Sequence, residues 1–293
     1  MGRDAIEHLL DRGDHHADML QTGPRHVDSL RGTVITTMFF EPSTRTRLSF
    51  EQAARFLGAD VMTFDPDTSS TLKGESLEDT ARTLAAIGSD LFVVRDTRED
   101  APEVVRDATG LPVVNGGAGR REHPTQTLLD LLTLRRVLGG VSGLSVGIVG
   151  DVLNSRVAAG HLIAFPLLGA KLSLIGPPSL LPETAPEGVS LIDDLDSALP
   201  GLDAVYLLRV QRERGASTGF ADDGAYAKAY GMNARRVGLL PPTAVVMHPG
   251  PINRGIEVDD SVADGPRSLI RMQVQMGVPL RMAVLEWCVG GMA

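Results

Sequence analysis

Cysteine is nearly absent: Cys288 is the one thiol in 293 residues. That excludes an intrachain disulfide and any metal site built from several thiolates. Aromatic residues make up 4% against 43% apolar residues in all, so packed cores must be mostly aliphatic. No apolar run approaches the roughly 20 residues of a membrane-spanning helix, which argues against a membrane protein. The N-terminus also lacks the basic, apolar and small-residue pattern of a secretory signal, so a cytoplasmic protein is the expectation. Positive charge is in deficit: 28 Lys and Arg face 37 Asp and Glu, a net charge of −9. A general binder of nucleic acid or anionic membrane is thereby disfavoured. An anionic small substrate is not, because a local arginine cluster decides that. Repeats and low-complexity tracts are missing too.

What is present is enough chain for two domains of ordinary size. A first amphipathic helix is expected over 5–19. Apolar runs at 34–40, 60–64, 91–94, 111–115, 144–149, 171–175, 204–208 and 244–247 read as strands. They alternate with helical patterns after Leu77 and after His123, which implies parallel sheets. Gly139-Gly140 and Ser142-Gly143 break the pattern, and the domain boundary is placed there, giving 1–140 and 141–293. The 176–188 stretch, rich in proline and glycine, reads as a loop. The last segment, 267–289, reads as one or two helices interrupted near Gly277-Val278-Pro279. The fold class expected is α/β, two doubly wound domains each with a mainly parallel sheet.

The most informative stretch runs from Phe39 to Phe50. An apolar strand stops at Glu41-Pro42, since proline cannot donate to a ladder. Ser43 is a good N-cap, and Leu48, Ala53, Ala54 and Leu57 recur at helical spacing. The hydroxyls of Ser43, Thr44 and Thr46 and the guanidinium of Arg45 thus gather at a helix start. Free N–H groups and the positive dipole end suit a phosphate there. Arg45 and Arg47 are two residues apart and cannot both face one anion on a helix. Arg45 is assigned to the ligand and Arg47 to a structural ion pair. On residue types alone, an ordinary capped helix with solvated arginines stays open.

A second pattern lies at strand ends. Arg95, Arg156, Arg209 and His248 each follow an apolar run, and open parallel sheets bind ligands at the carboxyl ends of their strands. Gly150-Asp151-Val152-Leu153-Asn154-Ser155 invites a dinucleotide site but lacks the spaced glycines of a pyrophosphate turn. His15 and His16 beside Asp14 and Asp18 read as a solvated helix face rather than a metal site. No metal and no cofactor are expected.

The string Glu41-Pro42-Ser43-Thr44-Arg45-Thr46-Arg47, with Ser49-Phe50-Glu51 after it, resembles the carbamoyl-phosphate loop of the aspartate and ornithine carbamoyltransferases, and the resemblance continues along nearly the whole chain. It implies a carbamoyl-phosphate domain followed by a second-substrate domain, with the C-terminal helix at about 267–290 packing back on the first. By the resemblance, Ser43, Thr44, Arg45, Thr46, Arg95, His123 and Gln126 contact carbamoyl phosphate. Ser69 and Lys73 resemble residues that reach into a neighbouring subunit's site. Arg156, Arg209 and Gln211 resemble aspartate contacts, joined by Lys73 and by Gly250 and Pro251 of the turn His248-Pro249-Gly250-Pro251.

Arg45, Thr46, His123 and Lys73 are the implied catalytic set, acting by positioning and charge. The stretch Arg209-Val210-Gln211-Arg212-Glu213-Arg214 is similar to that of the aspartate enzymes. Ornithine enzymes carry a cysteine-containing turn that this chain lacks. The expected reaction is carbamoyl transfer from carbamoyl phosphate to L-aspartate, in pyrimidine biosynthesis. The implied partners are a homotrimer with shared sites and, beyond it, dihydroorotase or a regulatory chain. The chain departs from the family in its glycine turn, Gly117-Ala118-Gly119, which lacks a customary aspartate. Two other readings stand beside this one: a carbamoyltransferase for another amino acid, and a non-catalytic relative serving assembly.

Overall fold

The computed structural model describes residues 1–210 and 219–290. Strands β1 (Val34–Phe39), β2 (Asp60–Phe64), β3 (Leu91–Arg95) and β4 (Val113–Asn115) form one sheet in the order β2-β1-β3-β4. Strands β5 (Ser145–Val149), β6 (Lys171–Ile175), β7 (Val189–Ile192), β8 (Ala204–Leu207) and β9 (Val245–Met247) form another, ordered β7-β6-β5-β8-β9. Every strand pairing is parallel.

The helices are α1 (Arg3–Thr22), α2 (Thr44–Phe56), α3 (Leu77–Ile87), α4 (Ala101–Thr109), α5 (Pro124–Leu138), α6 (Arg156–Leu167), α7 (Leu195–Ala198), α8 (Asp223–Tyr230), α9 (Ala234–Val237), α10 (Asp260–Ala263) and α11 (Ile270–Gly290). The chain divides into two compact units, Met1–Leu132 with Val274–Ala293, and Thr133–Gln273.

Each unit is doubly wound. In the first, the strand order reverses between β1 and β3; in the second, between β5 and β8. Central strands buried on both faces read as near-continuous apolar runs, as in β3 and β5. Met38, Phe92 and Val94 pack with Leu77, Ala81 and Val105 in the first core. Val149, Val205, Leu207 and Val246 pack with Tyr226 and Met232 in the second. Among the described residues, no helix is long and apolar enough to cross a membrane.

The last helix packs on the first unit, against α1, α2 and α5. Glu286 accepts from Arg12 Nη2 at 2.7 Å and from Ser29 Oγ at 2.8 Å, and lies 2.8 Å from His16 Nε2. Gly13 of α1 lets Leu132 of α5 and Leu280 of α11 close over it. Arg281 lies over the Phe50 ring of α2, 4.9 Å from its centroid.

Three local expectations are corrected. First, α11 is a single helix through Gly277 and Pro279, without the interruption. Second, β4 starts at Val113 rather than at 111. Third, α4, the helices α7 to α10 and the edge strand β7 were not anticipated. The residues of β7 are partly or fully exposed, so no alternation marks it in the sequence.

Candidate active site

The first unit builds its site at the reversal of strand order, where an open parallel sheet leaves a crevice. Phe39 of β1 lies opposite Arg95 of β3, and Phe40 N–H donates to Arg95 O at 2.8 Å. The chain then turns through Glu41 and Pro42 into α2. Ser43 occupies the N-cap in an extended conformation, as its residue type predicts, but its hydroxyl makes no capping hydrogen bond. The orphan N–H groups of that first turn are therefore not satisfied by Ser43. Thr44 and Arg45 are exposed, whereas Thr46 is buried. Desolvation lowers the pKa of the Arg45 guanidinium, with no carboxylate offsetting it. Arg47 Nε lies 3.8 Å from Glu51 Oε1, the structural ion pair expected of it. Arg95, at the end of β3, lies 3.5 Å from Glu41 Oε2.

The glycine turn is fastened to the loop after β3. Asn115 Oδ1 accepts from Gly117 N–H and Ala118 N–H at 2.8 and 2.9 Å, and Gly119 N–H donates to Asp96 O at 2.9 Å. Gly119 has φ +49°, and a Cβ there would meet Glu99 Cγ and approach Glu99 Cα to 3.0 Å. Only glycine meets both conditions without strain.

This turn delivers His123 to the start of α5. Its Nε2 lies 3.4 Å from Thr46 Oγ1, and both side chains are buried. Proline at the first helical position, Pro124, is preorganised for that start. Gln126, one turn from His123, donates its Nε2 to Asp130 Oδ1 at 3.0 Å. Two helix starts and one strand end thus bring Thr46, His123 and Arg95 into the same unit, with Ser43–Arg45 beside Thr46.

Lys73 ends the second of two short 3₁₀ turns, Pro66–Thr68 and Ser70–Lys73, and Ser69 caps the junction between them. The segment braces itself. Asp65 accepts from Asp67 N–H, Ser69 Oγ donates to Pro66 O at 3.0 Å, and Thr80 Oγ1 donates to Glu75 Oε2 at 3.0 Å. Short-range hydrogen bonds thus order this polar segment. Its outward face carries Lys73 and Leu72, the latter 72% exposed.

In the second unit Val149 of β5 lies opposite Leu207 of β8, again at the reversal. Arg156 is the first residue of α6 and is buried, with Ser155 capping the helix by accepting from Ala158 N–H at 3.2 Å. Arg209 follows β8 by two residues and is half-buried. Gln211 lies outside the described residues. His248 follows β9 directly: its N–H donates to Gln273 Oε1 at 2.9 Å, and its Nδ1 accepts from Gly250 N–H at 2.8 Å. The ring proton therefore sits on Nε2, facing Glu257 Oε1 at 3.3 Å. Glu257 Oε1 also accepts from Asn253 N–H at 2.6 Å. This brace shapes the turn that holds Gly250 and Pro251. Arg254 is engaged by Asp260 and Asp264 at 2.6 and 2.8 Å on the surface.

Sequence reasoning did not single out Glu257, Gln273, Asp130 or Arg281, all buried. A charged or amide residue inside an otherwise apolar pattern is the one signal that could have marked them.

The chain is similar to known proteins over its whole length. Residues 1–136 match the family model "Aspartate/ornithine carbamoyltransferase, carbamoyl-P binding domain", and residues 142–288 match its "Asp/Orn binding domain". The aspartate carbamoyltransferase catalytic subunit of Granulibacter bethesdensis is 47% identical, over 96% of this chain and 90% of that one. The corresponding subunit of Salinispora arenicola is 48% identical, over 97% and 93%. Among solved structures, the aspartate transcarbamoylase of Trypanosoma cruzi in complex with N-(phosphonacetyl)-L-aspartic acid aligns with a TM-score of 0.86. It is 32% identical, covering 98% of this chain and 92% of that one. The catalytic subunit of the M. jannaschii enzyme gives 0.86 at 32% identity, covering 99% and 95%. On this evidence the chain belongs to the aspartate/ornithine carbamoyltransferase family.

Proposed function

We propose that the chain transfers the carbamoyl group of carbamoyl phosphate to the α-amine of L-aspartate, giving N-carbamoyl-L-aspartate and phosphate in pyrimidine biosynthesis. The observation that carries this reading is the 3.4 Å approach of Thr46 Oγ1 to His123 Nε2, in the unit where Arg95 ends β3. That pair supplies donors where a carbonyl oxygen gains charge, beside a helix start that suits a phosphate. The names of the similar catalytic subunits support aspartate as the acceptor.

In this reading residues 1–140 bind carbamoyl phosphate and residues 141–293 bind aspartate, apart from the helix that packs back. The phosphate rests on Ser43, Thr44, Thr46 and Arg95. Arg45, Thr46 and His123 polarise the carbamoyl oxygen, with Gln126 at the carbamoyl end. Arg156, Arg209 and Gln211, with the Gly250-Pro251 turn, hold the aspartate carboxylates; planar guanidinium groups suit bidentate pairing with them. The neutral amine attacks the carbonyl carbon, the C–O bond to phosphate breaks, and the departing phosphate takes the amine proton. Positioning and charge stabilisation drive the step.

The test is carbamoylation by the purified chain with aspartate, ornithine and acetylornithine offered in competition. Carbamoyl-aspartate should be the product. A folded chain that carbamoylates ornithine instead, or nothing, would overturn the reading.

The exposed Leu72 and Lys73 on a self-braced turn support a cyclic trimer in which Ser69 and Lys73 serve the neighbour's site. Two inactive variants, Arg45→Ala and Lys73→Ala, separate the possibilities. Unfolded together and reassembled in equal amounts, they should recover roughly a quarter of wild-type activity under closed threefold symmetry. No recovery from reassembled trimers would make Lys73 a same-chain residue.

A further inference from the structure

We infer that Arg281, on the C-terminal helix, is a positioning residue for the carbamoyl-polarising turn: it holds the start of α5 under His123 against the helix that carries Thr46. The inference rests on the function proposed above and on the contacts of Arg281 with Thr125, Gly277 and Phe50, and it adds a residue from outside the motifs.

The contacts are specific. Arg281 is 3% exposed, so its guanidinium lies inside the first unit. Nη2 donates to Thr125 Oγ1 at 3.4 Å, two residues after His123, and Nη1 donates to Gly277 O at 3.2 Å. Its guanidinium carbon lies over the Phe50 ring of α2, the helix whose first turn carries Thr46. One side chain thus touches both helices that meet at the Thr46–His123 approach.

The charge belongs to the same arrangement. Desolvation lowers the pKa of Arg281 to about 9, the Asp130 carboxylate opposes that fall, and Arg95 adds to it. At neutral pH the group stays protonated. Asp130 is fully buried and accepts from the Gln126 amide, so Arg281 balances the carboxylate that orients Gln126.

The fold makes room for this group. A Cβ on Gly277 would lie 2.6 Å from Arg281 Nη1. The glycine that weakens the helical pattern in the sequence is therefore where the guanidinium folds back against its own helix.

The test compares wild type with Arg281→Met and Arg281→Lys, each measured per folded molecule well below its thermal midpoint. In Arg281→Met, kcat should fall roughly 10- to 100-fold, the scale of a displaced catalytic turn. The KM for aspartate should stay within about threefold, because that substrate's contacts are elsewhere. Titration with inorganic phosphate should show several-fold weaker binding. Arg281→Lys keeps the charge and loses the fork, so it should fold and still show reduced turnover.

A role in stability alone would lower the thermal midpoint while leaving kcat and phosphate affinity unchanged, and that result overturns the inference. If Arg281→Met yields no folded protein, the lysine variant decides: reduced turnover upholds the inference and wild-type turnover overturns it. Phosphate binding needs no acceptor. An inactive wild-type chain would therefore count against the proposed function, while weakened phosphate binding in Arg281→Met would still uphold the Arg281 contact.

Discussion

The two units share a plan and differ in how they aim their polar groups. Each places its candidate residues where the strand order reverses, at β1 and β3 in one and β5 and β8 in the other. The first unit relies on helix starts: α2 brings Ser43–Thr46, α5 follows His123, and the two meet side chain to side chain. The second relies on what comes just after strands, Arg209 behind β8 and His248 behind β9, with Arg156 alone opening a helix. Helix starts offer rows of N–H donors to a phosphate. Strand ends offer separate long side chains, which suit a dicarboxylate whose two charges lie apart. The difference teaches that one topological rule can present two kinds of group, helix-start N–H donors in the first unit and strand-end side chains in the second.

Removing a helix-start group should have the largest effect. Arg45→Ala should cut kcat roughly 100- to 1000-fold, the usual loss for a donor to developing charge. Circular dichroism and the thermal midpoint should barely move, because Arg45 is exposed. Near-normal turnover would remove Arg45 from the mechanism and break the contrast at its root.

A strand-end group should act differently. Arg209→Ala should raise the KM for aspartate by roughly 10-fold or more, the scale of a lost charged contact, while phosphate affinity stays as in wild type. Steady-state kinetics with phosphate titration checks this. Collapse of phosphate binding would show that the two units do not divide the labour.

The smallest effect separates the units by acid. In the first, Glu286 has its pKa lowered to about 2: burial opposes this, but hydrogen bonds from His16, Arg12 and Ser29 outweigh it. A depressed carboxylate pKa contributes stability above its ordinary value of 4.5, and that contribution is lost as pH falls toward about 2. In the second unit the comparable brace is Arg236, which donates to Asp196 and also to the carbonyls of Gly231, Lys228 and Ala229. Protonating one carboxylate leaves that brace its carbonyl acceptors. Trp287, the one tryptophan, adjoins Glu286 in sequence and reports on the first unit. Its emission should change between pH 4.5 and 2, and Glu286→Gln should remove that step. A tryptophan signal flat through this range would show that Glu286 does not hold the helix.

Much of this was legible because strands buried on both faces leave long apolar runs, and because β1 stops at a proline followed by hydroxyls and arginines. The runs of β3 and β5 place those strands to within about a residue. What escaped had physical reasons. Gly277 and Pro279 read as a break, yet tertiary packing on α1, α2 and α5 carries the helix through them. The edge strand β7 buries too little to show a pattern. Glu257 and Gln273 act by bracing a turn from nine and 25 residues beyond His248, and no local spacing announces such a role. The Ser43 cap was placed correctly and its hydrogen bond was not, because residue type selects a position more firmly than a rotamer.

The first unit is discontinuous in the chain, with its final piece beginning at Val274, whereas the second is the unbroken stretch Thr133–Gln273. On a ribosome, domains usually complete themselves in order from the N-terminus. Here the order inverts: the second unit has all its residues before the first has its last helix. A nascent chain arrested ahead of Val274 would hold all of the Ser43–Thr46 turn and still lack Arg281. The same chain would lack the Glu286 clasp on α1, 270 residues from His16. Completion of the first unit, with the Thr46–His123 pair it carries, is therefore among the last events of synthesis.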